Sequence, residues 1–339
     1  MPQTDINQEL HTEIVQALIE RLRATYVFPD VAEQICTNLQ QHLTAGDYSS
    51  IIDGKRLAYT LTKHLQSVNH DEHLWVLWHS EPLPDEEEAL RLNRAWVAEQ
   101  KQAAQQDNYG FHKIERLVGN IGYLDIRYFY RPAWGGEVAA AAMNMVANTN
   151  ALIIDMRQCP GGYPDMVVLV SSYLFGETPV HLDSIYWRDD DITQQYWTLP
   201  YVPGQRYGDK PVFVLVSQAT FSSGEAFAYN LQALKRATII GEKTDGGAHP
   251  GASYRLHPHF EVFIPVGRGI NPHTNMDIEG LGVVPDIPAK PEKAVDVAYR
   301  LALETVIELI GEPDSKPLKR LLEEARAALH AIKDNGESS

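Results

Sequence analysis

The hydrophobic pattern of this 339-residue chain changes period near Tyr109, and that change restricts the fold more than any other feature. Before it, Leu10, Ile14, Val15, Leu18, Ile19 and Leu22 recur at helical spacing, which predicts a helix over 6–24 that stops ahead of the turn at Pro29. Residues 32–42 and 54–66 predict two more helices, and the charged stretch 84–105 predicts an exposed helical connector. After Tyr109, β-rich runs alternate with helical ones: NIGYLDIRY from Asn120, ALIIDM from Ala151, PVFVLVS from Pro211, ATIIGE from Ala237 and EVFIPV from Glu261. SIYWR and ITQQYWTL flank Asp189, Asp190 and Asp191 and predict a hairpin inserted between core elements. Residues 293–310 and 318–331 predict amphipathic helices, with the terminal NGESS frayed. The expected organisation is an N-terminal helical domain with connector (1–110), an α/β domain (111–312) and a C-terminal helix and tail (313–339).

Composition narrows the function classes. A formal net charge of -16 repels phosphate backbones, so nucleic acid is not an expected partner. No stretch approaches the roughly 18 apolar residues of a membrane span, and the first residues carry neither a basic start nor an apolar run. Only Cys36 and Cys159 are present, which predicts free thiols in a reducing compartment; a cytoplasmic protein is the expectation, and an oligomer remains open.

Chemistry is concentrated in VFVLVSQATFSSGEAFAYNLQAL, where a strand ends at Ser217 and a helix is predicted to begin near Ser223. Ser222 sits at the junction, close to unpaired N–H groups and the positive end of a helix, both of which favour an oxyanion. Ser222 with Glu225 also spells a capping box, so the same residues can be read as a helix cap. A serine nucleophile needs a base, and the base an orienting group. His73 precedes an apolar strand in VNHDEHLWVLW, and can be read as a base or as one of 13 histidines on a surface. Glu279 in NMDIEGLGVVPDI is a carboxylate in a buried-looking segment, where a lone charge is costly. Gly161 and Gly162 in LIIDMRQCPGG follow a strand, and serve either to aim an N–H at a substrate oxygen or as an ordinary strand-to-helix turn.

Those segments, in this order, resemble the tail-specific (carboxyl-terminal-processing) serine peptidase family, in the branch that includes tricorn protease and the interphotoreceptor retinoid-binding protein modules. TYVFPDVA near Thr25 resembles that branch's helical N-terminal domain. NIGYLDIRYF, LIIDMRQCPGG, TFSSGEAFAYNLQALKRATIIGEKTDGGAHPG and EGLGVVPDI resemble successive blocks of its catalytic domain. The resemblance implies a crotonase-like ββα spiral behind a helical domain. It further implies a peptidase with Ser222 as nucleophile, His73 as general base and Glu279 completing the charge network. The backbone N–H groups of Ser223 and of a glycine in the pair, foremost Gly161, become oxyanion donors. A peptide or protein is the implied substrate, and neither metal nor cofactor is required.

Three positions depart from the family's pattern. Gly247 stands where Ser-Lys members carry their lysine, so Lys243 is not the base. Cys159 replaces the asparagine of an Arg-x-Asn-x-Gly-Gly turn, and Glu72 replaces the serine that precedes the histidine in tricorn protease. Between His73 and Ile121 there is no room for a PDZ domain. Three other readings compete with the peptidase one. A hydrophobic-ligand (retinoid or fatty acid) binding module shares the scaffold. An α/β-hydrolase esterase lacks the first glycine of Gly-x-Ser-x-Gly. For a zinc hydrolase, His70 with His73 and His257 with His259 lack the spacing or a third ligand, and His249 is read as a polar turn residue that lines a cleft at most.

Overall fold

The computed structural model describes residues 6–84 and 86–336. In chain order it begins with α1 (Gln8–Thr25), α2 (Pro29–Ala45), α3 (Gly54–Asn69), β1 (Trp75–Trp78) and α4 (Glu86–Gln106). There follow β2 (Phe111–Leu117), β3 (Ile121–Ile126), α5 (Pro132–Val146), β4 (Ala151–Asp155), α6 (Pro164–Ser172), β5 (His181–Trp187) and β6 (Ile192–Trp197). The remainder is β7 (Val212–Val216), α7 (Ser223–Ala233), β8 (Thr238–Gly241), β9 (Gly251–His257), β10 (Phe260–Pro265), β11 (Gly267–Ile270), β12 (Ile287–Pro288), α8 (Pro291–Ile310) and α9 (Lys316–Gly336). It is a mixed α/β protein with a helical N-terminal region. Of the predicted frayed tail NGESS, the last three residues lie outside the described residues. Among the described residues no helix is long and apolar enough to cross a membrane.

The chain divides into two compact units. The first comprises residues up to 97 together with 184–194 and 249–270. Helices α1, α2 and α3 of this unit form where capping and periodicity agree: the Asn7 side chain accepts the Leu10 N–H at 3.0 Å, and Asp53 accepts that of Arg56 at 2.8 Å. Pro29 opens α2, and Gly46 at φ 78° closes it in the left-handed region that glycine tolerates. The stripe Ile14, Val15, Leu18, Ile19 and Leu22 is buried in one core with Leu57, Leu61 and Leu65, and with Phe260, Val262 and Ile264 of β10. β10 is the centre of an antiparallel sheet β1-β10-β9, in which Trp75 lies opposite Phe263 with rings stacked at 5.0 Å.

This is the main difference from the sequence reading. EVFIPV was expected in the α/β domain, but its inward residues complete the helical core, so the compact units do not follow a cut at 110/111. Hydrophobic alternation reports that a strand is half buried; it says nothing of which core the strand joins.

The second unit holds residues 98–183, 195–248 and 271–336. Its six-stranded sheet has the order β12-β8-β7-β4-β3-β2, with β3, β4, β7, β8 and β12 parallel and β2 antiparallel at the edge. β4 and β7 are buried throughout, as the apolar runs ALII and VFVLV require of parallel strands covered on both faces, with Asp155 buried at the end of β4. Leu152, Ile154, Val214 and Val216 face Met143, Met166, Phe227 and Leu231 of α5, α6 and α7. Ile153, Phe213 and Leu215 face Ala298, Ala302, Leu303 and Val306 of α8, with Ala325 of α9. The register aligns Asp125 with Asp155, Asp155 with Leu215 and Val216 with Gly241. The loops after β4, β7 and β8 therefore leave the same carboxyl end of the sheet, the end at which open parallel sheets bind ligands.

Candidate active site

At the carboxyl end of β7 the chain runs Ser217–Phe221 and enters α7 through Ser222. An ordinary N-cap has extended backbone, but Ser222 has φ 51° and ψ -123°. For a residue with a Cβ this conformation costs on the order of 1–3 kcal/mol and persists only where its surroundings enforce it. The Glu225 carboxylate accepts the Ser222 N–H at 2.9 Å, so the capping-box arm predicted from Ser-x-x-Glu exists, in a backbone that a simple cap does not need.

The surroundings that enforce it come from the loop after β4. The Phe221 N–H donates to the Cys159 carbonyl at 3.0 Å and the Thr220 hydroxyl to the Met156 carbonyl at 2.9 Å. The Ser217 hydroxyl donates to the Arg157 carbonyl at 2.7 Å, and the Ser223 hydroxyl to the Gly162 carbonyl at 2.8 Å. The start of that loop is fixed in turn, because Arg157 pairs with buried Asp155 at 2.6 Å and the Tyr123 hydroxyl donates to the same carboxylate at 2.6 Å. Burial raises the Asp155 carboxyl, yet Arg157 and Tyr123 outweigh it and hold Asp155 below its ordinary value.

Stitched together in this way, the two loops leave no space at Gly161. A Cβ there would lie 2.9 Å from the Ser222 Cβ and 3.0 Å from the Ser223 nitrogen, and φ is 113°. Gly162, at φ 130°, would meet the Phe129 carbonyl at 2.3 Å. Phe129 fixes the pair from the other side, donating its N–H to the Gly161 carbonyl at 2.9 Å and accepting that of Tyr163 at 2.7 Å. The structure thus brings Ser222, Ser223, Gly161 and Gly162 together at the amino end of α7. Cys159, in the family's asparagine position, is a buried free thiol whose pKa burial pushes up to about 12. It holds its loop through backbone bonds, its N–H donating to the Met156 carbonyl at 3.0 Å.

Glu225 does more than close a cap. Fully buried, it accepts the Gly246 N–H at 2.8 Å, the Gly247 N–H at 2.7 Å and the Thr244 hydroxyl, as well as the Ser222 N–H. Burial raises its carboxyl above the ordinary value, against the pull of those four bonds. The Ala248 N–H in the same loop donates to the Glu279 carboxylate at 2.6 Å, and the Gly280 N–H donates to the Gly246 carbonyl at 2.8 Å. A continuous hydrogen-bonded path therefore joins Ser222, Glu225, residues 246–248 and Glu279.

His73 lies in the first unit. α3 ends at His70 in the left-handed region (φ 58°), and the Asp71 carboxylate then accepts the His73 N–H at 3.0 Å, two residues ahead of β1. The expectation of a histidine at the edge of a strand holds. His249, read from sequence as a turn residue, is buried, with its ring 3.3 Å from Asp71. Burial pushes the Asp71 carboxyl up, but the His249 ring, the Tyr26 hydroxyl and the His73 N–H together hold it below the ordinary carboxylate value.

Comparison with known proteins then identifies the family. Residues 120–289 match the model of peptidase family S41, and residues 7–111 match that of the N-terminal domain of peptidase S41 in eukaryotic IRBP. The chain belongs to peptidase family S41. It is 28% identical over 222 residues to a carboxyl-terminal-processing protease of Synechocystis sp., covering 63% of this chain and 48% of that protein. It is 29% identical over 171 residues to the chloroplastic carboxyl-terminal-processing peptidase 2 of Arabidopsis thaliana, covering 50% and 32%. The chain thus spans about half or less of the length of these curated relatives. In fold it is similar to a protein of Parabacteroides merdae (TM-score 0.61, 18% identity, 86% of this chain and 96% of that one). It is also similar to tricorn protease (TM-score 0.52, 14% identity, 88% and 37%).

Within this S41 chain, Ser222, Ser223, Gly161, Gly162 and Glu279 fall in the segment matching the peptidase model, and His73 in the segment matching the N-terminal model. Sequence reasoning missed two residues, Glu225 as a hub and Asp71. The signal for Glu225 was its position inside an otherwise apolar helix start followed by Gly246 and Gly247. For Asp71 it was an acidic residue two places before His73, the spacing of an Asx turn.

Proposed function

We propose that this chain is a serine peptidase that hydrolyses peptide bonds through an acyl-enzyme. Ser222 is the nucleophile, His73 the general base and Glu279 the carboxylate that completes the charge network. The observation that carries the reading is the Ser222 backbone, held at φ 51° at the mouth of α7 against a glycine that leaves no room for a Cβ. A strained turn that exposes a serine beside a helix N-terminus is the arrangement serine hydrolases use to present the hydroxyl and receive the oxyanion.

In the first step Ser222 Oγ attacks the scissile carbonyl carbon while His73 takes its proton. The carbonyl oxygen becomes an oxyanion facing the N–H groups of Ser223 and Gly161. The C–N bond then breaks, and the amine leaves with the proton from His73. Water, deprotonated by His73, attacks the ester in the same way and releases the acid, returning the proton to Ser222. No step needs a metal or cofactor. The substrate is a peptide or protein, and processing of a carboxyl terminus, the activity in the relatives' names, is the narrower form of the reading.

The crotonase-like ββα spiral belongs to the same proposal, supported by the parallel sheet β12-β8-β7-β4-β3 with helices on both faces. So does a cytoplasmic location, which agrees with two buried free thiols. The test is to incubate the chain with a proteome-derived peptide library and map new termini by mass spectrometry. New termini are expected with the native chain and not with Ser222→Ala. Identical termini, or none, with both would contradict the assignment.

A further inference from the structure

Resting on that reading, we infer that Asp71 is the positioning residue for the proposed base, fixing the main chain from which His73 projects. Two donors and the His249 ring converge on this one carboxylate, whose side chain is 1% exposed. Its Oδ1 accepts the His73 N–H at 3.0 Å; its Oδ2 accepts the Tyr26 hydroxyl at 2.8 Å and faces His249 Nδ1 at 3.3 Å. The Asn69 amide donates to the Tyr26 oxygen at 2.6 Å, which points the Tyr26 proton at Asp71. A second bond, from the Leu74 N–H to the Asp71 carbonyl at 3.2 Å, closes the same turn, and Leu74 is fully buried.

The His73 backbone is thus held between two buried neighbours, while its own side chain stays partly exposed. An Asx turn needs only a neutral acceptor such as asparagine or serine. A buried carboxylate is costlier, and becomes tolerable only when its remaining lone pairs are filled. Here they are filled by Tyr26, anchored in the core of α1–α3, and by His249 from the strand-entry loop before β9. The turn carrying His73 is therefore referenced to two distant parts of its unit, to α1 through Tyr26 and to the 249 loop through His249. Displacing a catalytic group by about 1 Å can cost on the order of 10²-fold in rate, which is what a turn fastened by Asp71 prevents.

The experiment measures labelling of Ser222 by a fluorophosphonate, separating the maximal labelling rate from probe affinity, together with amide hydrogen exchange of residues 72–74. Asp71→Ala is expected to lower the maximal rate about 10–100-fold with unchanged probe affinity. It should also speed exchange at 72–74 while α1 and α3 keep their protection. Asp71→Asn, which retains an acceptor for the His73 N–H while turning an amide nitrogen toward Tyr26 and His249, should recover part of the rate and some of the protection at 72–74. A merely structural role predicts instead that both variants lose protection throughout the helical core, with no rescue by asparagine, and that result overturns the inference. So does a wild-type labelling rate in Asp71→Ala. Absence of labelling in the native chain would overturn the peptidase reading itself, an outcome distinct from either.

Discussion

The turn at Ser222 and the turn at His73 hold their side chains by opposite means. Ser222 sits in strained backbone, locked by main-chain and hydroxyl bonds to the β4 loop and by a glycine that leaves no clearance. His73 sits two residues past a left-handed helix end, and its turn is closed by a side chain, the buried carboxylate of Asp71. A lock made of backbone tolerates no added atom. A lock made of a side chain tolerates an isostere that keeps the acceptor.

The contrast predicts graded responses. The largest is expected at the base: His73→Ala should slow Ser222 labelling by about 10²–10⁴-fold, the scale of general-base catalysis. At the backbone-locked turn, Gly161→Ala should cost about 10²–10³-fold, the scale of a lost oxyanion donor, because the new methyl has nowhere to go. If Gly161→Ala proves milder than Asp71→Ala, the contrast between the two locks fails.

Glu225→Gln tests the hub beneath the Ser222 turn. Ser222 and Gly247 both donate N–H groups to Oε2, whereas Thr244 and Gly246 donate to Oε1, so an amide nitrogen at either position faces donors. Stability should fall by about 1–3 kcal/mol per unsatisfied group in urea unfolding. An unchanged midpoint would remove Glu225 from the account.

The smallest effect concerns acid. Asp71 and Asp155 are held below the ordinary carboxylate value, so their contribution is present above the unfolded-state value of about 3.9 and is lost as pH falls through their lower folded values. Glu225 is raised, so it has the opposite sign, favouring the fold below its unfolded value and losing that contribution as pH rises through its folded one. Unfolding free energy should therefore drop below about pH 4, and less steeply in Asp155→Asn. Equal slopes would show that Asp155 carries no such linkage.

Much of this was legible in the residues. The change of period at Tyr109, the buried parallel strands and the strand-to-helix junction at Ser222 follow from local pattern, and α1–α3 lie close to where periodicity put them. β2, β9, β11 and β12 were not foreseen. β2 and β9 alternate weakly, and β11 and β12 are four and two residues long. The membership of β10 in the helical core was invisible because its pairing with β1, unlike its hairpin with β9, is a long-range fact. Of the site, residue types and order were readable; the Ser222 backbone angle and the four bonds to Glu225 were not, since both depend on loops that meet only once the sheet has formed.

The most direct test of the central claim is peptide mapping of the fluorophosphonate adduct, with its rate of formation, in the native chain and in His73→Ala side by side. The account predicts a single adduct on Ser222, formed at least 100-fold more slowly without the imidazole. An adduct on another residue, or equal rates in the two proteins, would contradict it.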